Sequence, residues 1–373
     1  MSRHRIIAAG HICLDITPVF PGEKQVKAAQ DLLVPGKLVE MGAASVHTGG
    51  SVANTGLALK KLGNEVTLLG KVGGDAFGSM VRDILAGYGA GGLIVDEGST
   101  TSYSVVLALP GLDRMFLHHP GANATFSAAD VPPEVLEGAE LFHFGYPPLM
   151  KTIYAQNGAE LAALMRTAKA HGLATSLDMA AIDPNGEAAL VDWEKVLQNV
   201  LPYVDFFVPS FEELCFMLDR PLFDRLTKDS PDCTDGLDVI RYAMPMAEKC
   251  LAMGCGAAMI KCGLAGLVWQ CAGERRVAHM GGRWQPDAGA WANSRGRQAC
   301  FQADIVRSGT GAGDVTIAAF LTAALDGETP AECARLAAAE GAASVTSYDA
   351  LGGVMTLDQI RQRLTLGWKM REE

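Results

Sequence analysis

Short, almost continuously apolar runs alternate with longer segments of helical period along most of the chain. The runs from Arg5 to Ala9, Glu65 to Gly70, Leu141 to Phe144, Ala174 to Asp178, Asp205 to Val208 and Ala257 to Lys261 have strand length. Being apolar at successive positions, they read as strands buried on both faces, as in a parallel sheet. Between them, helical period predicts helices over Ser51 to Leu62, Phe77 to Tyr88, Ala159 to Ala170, Asp314 to Leu325 and Pro330 to Val345. Gly63-Asn64 stops the first of these, and Pro330 sits in the first turn of the last. The alternation predicts an α/β fold, a three-layer sandwich with a mostly parallel central sheet between helices.

Two stretches break the pattern. Residues 12–47 are rich in Gly and Pro, and in 100–120 the runs SYSVVLAL and MFLHH flank a turn-like PGLDR. Together they predict a small β-flap beside the main sheet. Residues 274–302 show no clear period and read as a long excursion, so one unit over 1–373 with a flap is expected.

Composition narrows the chemistry. A net charge of −11 disfavours nucleic acid and anionic membranes as partners, because phosphate backbones are bound by clustered Lys and Arg. Any phosphate must be handled locally, by backbone N–H groups at helix starts, and 42 glycines make that search worthwhile. Nine cysteines, an odd number with no C-x-x-C pair, predict reduced thiols and a cytoplasmic protein. His11 and Asp15 interrupt the apolar opening, which reads as a core strand instead of a signal segment, and no run reaches the ~18 apolar residues of a membrane span.

The strongest motif is Ser308-Gly309-Thr310-Gly311-Ala312-Gly313-Asp314, which follows Ile305-Val306 and runs straight into a helix. Small residues at Gly311, Ala312 and Gly313 let the backbone approach a ligand, and the first N–H groups of the helix point at an anion. A carboxylate such as Asp314 is favoured in the first turn by the helix dipole and can accept a hydroxyl proton. Taken alone, the same residue is also a good helix-start aspartate after a flexible turn. A second helix opens with Thr48-Gly49-Gly50-Ser51-Val52-Ala53-Asn54. There Gly49 and Gly50 expose N–H groups to a polyol, and Asn54 can donate to and accept from hydroxyls. Asp15, after the first strand, can accept two neighbouring hydroxyls. Asn123, in Pro120-Gly121-Ala122-Asn123, is a further candidate substrate contact, as is one of His118-His119.

Gly87-Tyr88-Gly89-Ala90-Gly91-Gly92 matches G-x-G-x-x-G, but it ends a helix, where a dinucleotide fingerprint joins strand to helix. It reads as a C-cap and loop. No G-x-x-x-x-G-K-[ST] occurs, which excludes a P-loop.

Together these motifs resemble the PfkB, or ribokinase-like, carbohydrate kinase family. One signature appears as Gly49 to Gly63, continued by Gly70-Lys71-Val72-Gly73 and Asp75-x-x-Gly78, and the other as Gly311 to Asp314. The resemblance implies an ATP-dependent kinase acting on a hydroxyl of a sugar-like molecule. Asp314 would be its base and the 311–313 backbone its anion hole. It implies substrate contacts from Asp15, Gly49, Gly50 and Asn54 beneath a β-lid, for which the flap is the candidate. Lys261-Cys262-Gly263-Leu264-Ala265-Gly266 resembles the family's T-L-G-x-x-G, which implies nucleotide contacts from Lys261, Gly263 and Gly266, with Lys replacing the usual Thr. Pro209-Ser210-Phe211-Glu212-Glu213 is similar to P-N-x-x-E and carries over Glu213 toward Mg²⁺, with Ser210 replacing Asn. Ser308 stands where many members have Asp, which puts activation by a monovalent cation in doubt.

Three readings follow: a sugar kinase, a nucleoside kinase of the same fold, and a non-catalytic ligand-binding relative. The lid's few aromatic residues (Phe20, Tyr103, Phe116) favour the sugar reading, and the intact Gly311 to Asp314 motif disfavours the third. A single chain and a homodimer paired through the lid both stay open, and an exposed apolar flap would favour pairing.

Overall fold

The computed structural model describes residues 4–20, 25–112, 114–228, 230 and 232–371. Residues 21–24 of the expected flap and Asp113 of its turn lie outside the described residues. All six predicted strands join one eight-stranded sheet. In spatial order it runs Arg295–Gln298, Leu267–Cys271, Ala257–Lys261, Phe206–Phe207, Ala174–Leu177, Leu141–Gly145, Arg5–Gly10 and Glu65–Leu69. From Ala257–Lys261 to Glu65–Leu69 every pairing is parallel.

Side-chain alternation along the central strands divides the core in two. Ile6 and Ala8 of Arg5–Gly10 face one helical layer, and Ile7 and Ala9 face the other. The first layer holds the helices Ser51–Lys61, Ala312–Leu325 and Pro330–Ser344; the second holds Lys151–Ala170, Trp193–Val200, Phe211–Leu218 and Val239–Ala252. Ala312–Leu325 is buried at every position from Asp314 to Leu325, which explains why its sequence is nearly uniformly apolar. The predicted start at Ala159 corresponds to a real discontinuity, since residues 155–158 of Lys151–Ala170 leave helical geometry.

The sheet is wider than the apolar runs predict. Leu267–Cys271 and Arg295–Gln298 add antiparallel strands at one edge. The second lies inside the expected excursion. Its sequence RGRQ is only half-buried or exposed, so backbone pairing holds it without an apolar period. The excursion also sends Trp284 and Trp291 into the core, where both rings pack on Phe206.

The flap is a separate four-stranded sheet in the order Ser45–Gly49, Cys13–Thr17, Tyr103–Leu107 and Met115–His119. It is therefore built from the two stretches that broke the α/β alternation. Gly87 to Gly92 ends the helix Ala76–Gly87, as the C-cap reading expects. All nine cysteines are free thiols. Among the described residues no helix is long and apolar enough to cross a membrane.

Candidate active site

The carboxyl ends of the parallel strands converge on one place, as in open α/β sheets generally. Arg5–Gly10 ends at His11, Leu141–Gly145 at Tyr146, Ala174–Leu177 at Asp178 and Ala257–Lys261 at Lys261; Phe206–Phe207 leads to Ser210 and Glu213. Ser210 also bridges to Lys261 across the sheet. The starts of Ser51–Lys61 and Ala312–Leu325 complete the ring.

At its centre is Asp314, 4% exposed. Thr55 donates its hydroxyl to Oδ1 at 2.7 Å, while Asn54 Nδ2 and the Tyr146 hydroxyl donate to Oδ2 at 3.2 and 2.8 Å. Three donors from two elements fix the plane of the carboxylate. Thr55 follows Asn54 in its motif and Tyr146 follows a strand end, and sequence reasoning missed both as partners of Asp314. The strand-end position was the available signal for Tyr146.

Gly311 caps the helix at φ 73°, and a side chain there would collide with Ala350, so only glycine serves. The Ala312 N–H closes the turn on the Gly309 carbonyl at 3.2 Å, and the first N–H groups of the helix face outward from its start. A Cβ on Gly313 would lie 3.8 Å from Lys261 Nζ, so a cation stands beside the turn. Lys261 pairs with Asp178 Oδ1 at 2.8 Å; the carboxylate is buried and the lysine is partly so. Burial works against the lysine's charge, but Asp178, Glu213 and Asp314 outweigh it and hold the ammonium above its ordinary range. Burial pushes the Asp178 carboxyl upward, and Lys261 pulls against it. Asp178 is thus the partner of the cation.

Glu213 lies close enough to influence Lys261, Asp178 and Tyr146, and its Oε2 also accepts the Ser210 N–H at 2.6 Å in a capping box. The serine that departs from the family pattern therefore starts the helix Phe211–Leu218. Gly263 packs on Thr234, and Gly266 lies against the Gln298 backbone with no room for a side chain.

On the lid side, the Asp15 carboxylate fills the space that a Gly49 side chain would need. This gives Gly49 a reason besides an exposed N–H. Burial raises the Asp15 carboxyl, opposed by hydrogen bonds from Cys13 and Ser104. Ser104 also meets His118 Nδ1 at 3.1 Å, and the His118 ring lies tilted against His11 with centres 5.1 Å apart. His119 turns to Thr100 instead, so the adjacent histidines diverge as expected for a strand. Gly50, at φ 83°, lies against the His11 backbone and opens the helix that carries Asn54.

Asn123 is fully buried, donates Nδ2 to the Ile12 carbonyl at 2.8 Å and accepts the Ile12 N–H at 3.2 Å. Each end of its amide thus clamps the chain where it leaves the first strand. Arg114 donates to Ser308 Oγ at 3.1 Å and ties the flap to the loop before the glycine turn.

A small β-sheet beside the strand ends, a glycine turn with an adjacent cation and a carboxylate held on both oxygens define the class: an α/β protein with one polar candidate site at the carboxyl ends of its parallel strands. The sequence profile of the pfkB family carbohydrate kinases matches residues 13–266 and 285–356, and the chain belongs to that family. It is 28% identical over 220 residues to Fructokinase-2 of Oryza sativa subsp. japonica, covering 57% of this chain and 59% of that protein. It is 29% identical over 147 residues to Fructokinase-1 of Zea mays, covering 38% of this chain and 42% of the relative. The chain thus spans less than two thirds of these relatives. Among solved structures, Arabidopsis thaliana ribokinase complexed with ribose and ATP superposes with a TM-score of 0.70 at 18% identity, over 97% of this chain and 99% of that one. Giardia lamblia ribokinase gives 0.70 at 18%, over 98% and 99%. These likenesses establish a ribokinase-like fold.

Proposed function

We propose that the protein is an ATP-dependent kinase that phosphorylates a hydroxyl of a sugar or sugar-like molecule, with Asp314 as base. The observation that carries this reading is the buried Asp314 carboxylate at the start of Ala312–Leu325, held on both oxygens and flanked by a glycine turn and Lys261. Phosphoryl transfer asks a protein mainly for alignment and charge neutralisation, plus one acceptor for the nucleophile's proton. The acceptor hydroxyl gives its proton to Asp314 as its oxygen bonds to the γ-phosphorus and the bond to the β-phosphate breaks, releasing ADP. N–H groups of Gly311 and Gly313, with Lys261, would meet the charge on the transferring group, while the Ala312 N–H holds the turn closed on Gly309.

ATP would lie along Lys261, Gly263 and Gly266. Glu213, whose carboxylate lies within electrostatic reach of Asp178 and Lys261, fits Mg²⁺, since this ion uses few protein ligands. When bound it would neutralise phosphate charge. Asp15, Gly49, Gly50 and Asn54 would hold the acceptor under the lid. The lid's rings support a sugar over a nucleoside: Phe116 is 58% exposed, and Tyr103 is engaged with Phe77 and His119. The names of the fructokinase relatives point the same way.

An ADP-release assay over sugars, polyols and nucleosides tests the reading. Turnover with a sugar is expected, and ligand binding without any turnover would refute it. Asp314→Asn keeps the shape and removes the proton acceptor; kcat should fall at least ~10²-fold with acceptor binding retained.

A further inference from the structure

We infer that Tyr146 is a positioning residue for the base, fixing the Asp314 carboxylate so that its free lone pair faces the acceptor hydroxyl. The inference rests on the proposed kinase reaction and deepens it. Tyr146 follows the strand Leu141–Gly145 with φ 64° and ψ 42°. A bulky residue in the left-handed region is a strained one, and such strain persists where the surroundings impose it, often at active sites. Here the unusual backbone places the phenol hydroxyl 2.8 Å from Asp314 Oδ2.

The hydrogen-bond arithmetic assigns the role. Oδ1 accepts from Thr55 and Oδ2 from Tyr146, so one short bond pins each oxygen, while the Asn54 contact at 3.2 Å is the longest of the three. A carboxylate oxygen has room for about two donors. The acceptor hydroxyl therefore enters at the second site of Oδ1, or replaces Asn54 on Oδ2, without disturbing the two short bonds. Tyr146 keeps its proton throughout: burial, then the charges of Asp314, Asp178 and Glu213, push the phenol well above its ordinary range. It is a permanent donor, able to orient the carboxylate and unable to take the acceptor's proton from it.

The test is Tyr146→Phe, measured in parallel with wild type and Asp314→Asn. Loss of a hydrogen bond to a charged group predicts a drop in kcat of about tenfold or more, with KM for the acceptor and for ATP nearly unchanged. A donor to the carboxylate favours its ionised form, so its removal moves the acid limb of the kcat/KM profile to higher pH, by about one unit. Asp178, Glu213 and Lys261 share the field, and the His11 ring lies 6.2 Å from Tyr146. All of them are the same in variant and wild type, so the displaced limb reads the phenol. Introducing 3-fluorotyrosine at 146 supplies a stronger donor of nearly the same size, and the limb should move the other way. A folded Tyr146→Phe protein with wild-type kcat and an unmoved limb would overturn the inference, as would a 3-fluorotyrosine protein with no displacement. If wild type turns over no acceptor at all, the kinase reading fails and takes this inference with it.

Discussion

The two walls of the candidate site are built to different standards of rigidity. The sheet-side wall comes from strand ends and helix starts inside the core: Asp314 is held by three donors, Lys261 is paired with Asp178, and the whole Ala312–Leu325 helix is buried. The lid-side wall is a four-stranded sheet with solvent on one side, where Phe116 and Leu117 are exposed and Asp15, Ser104 and His118 form the polar lining. Under the proposed function, reaction chemistry, identical for every acceptor, would sit on the first wall, and recognition of one particular acceptor would fall to the wall that is less deeply packed. Under the proposed function, variants in the first should change kcat and variants in the second KM.

The largest effect is expected from Lys261→Met. It removes the charge beside Gly313 and leaves Asp178 buried without its partner, so kcat should fall about 10²-fold. Stability should drop by about 3–5 kcal/mol, the usual result of breaking one side of a buried ion pair. Adding Asp178→Asn should restore stability in urea unfolding and leave kcat low. Recovery of both would show that the lysine's role is purely structural.

Acid stability probes the same wall. His143 is fully buried, and burial with the nearby Lys261 charge lowers its imidazole to about 3. The unfolded chain takes up a proton near pH 6.5 that the folded protein refuses, so stability falls as pH drops below that value. The loss from His143 is about 2 kcal/mol at pH 5. Chemical unfolding at pH 7 and pH 5 should show it, and His143→Gln should reduce it; an equal loss in the variant would remove His143 from the account.

The smallest effect belongs to the lid wall. Asp15→Asn should raise the acceptor KM about tenfold with kcat within about threefold, the loss expected of one charged hydrogen-bonding group. A fall in kcat at constant KM would break the division between the two walls.

Sequence reveals most where the chemistry is contiguous. The turn and helix around Asp314 occupy one stretch, as do Gly49, Gly50 and Asn54, and six of the strands announced themselves by apolar runs. The donors to Asp314 are less visible because they meet only in three dimensions, Tyr146 from one strand end and Thr55 from a helix 259 positions away. The Lys261–Asp178 pair is likewise divided between two strands. The clamp of Asn123 on the Ile12 backbone is just as invisible in sequence, because the two residues stand 111 positions apart. The edge strand Arg295–Gln298 was illegible because pairing of backbone groups leaves no signature in half-exposed side chains.

The lid strand Ser45–Gly49 passes through a single residue, Gly50, into the helix Ser51–Lys61. There is no slack between them. Asn54 and Thr55 occupy the first turns of that helix, so the inner edge of the flap and two of the three bonds to Asp314 belong to one uninterrupted run of backbone. A side chain at Gly50 would strike the His11 backbone and disturb both together.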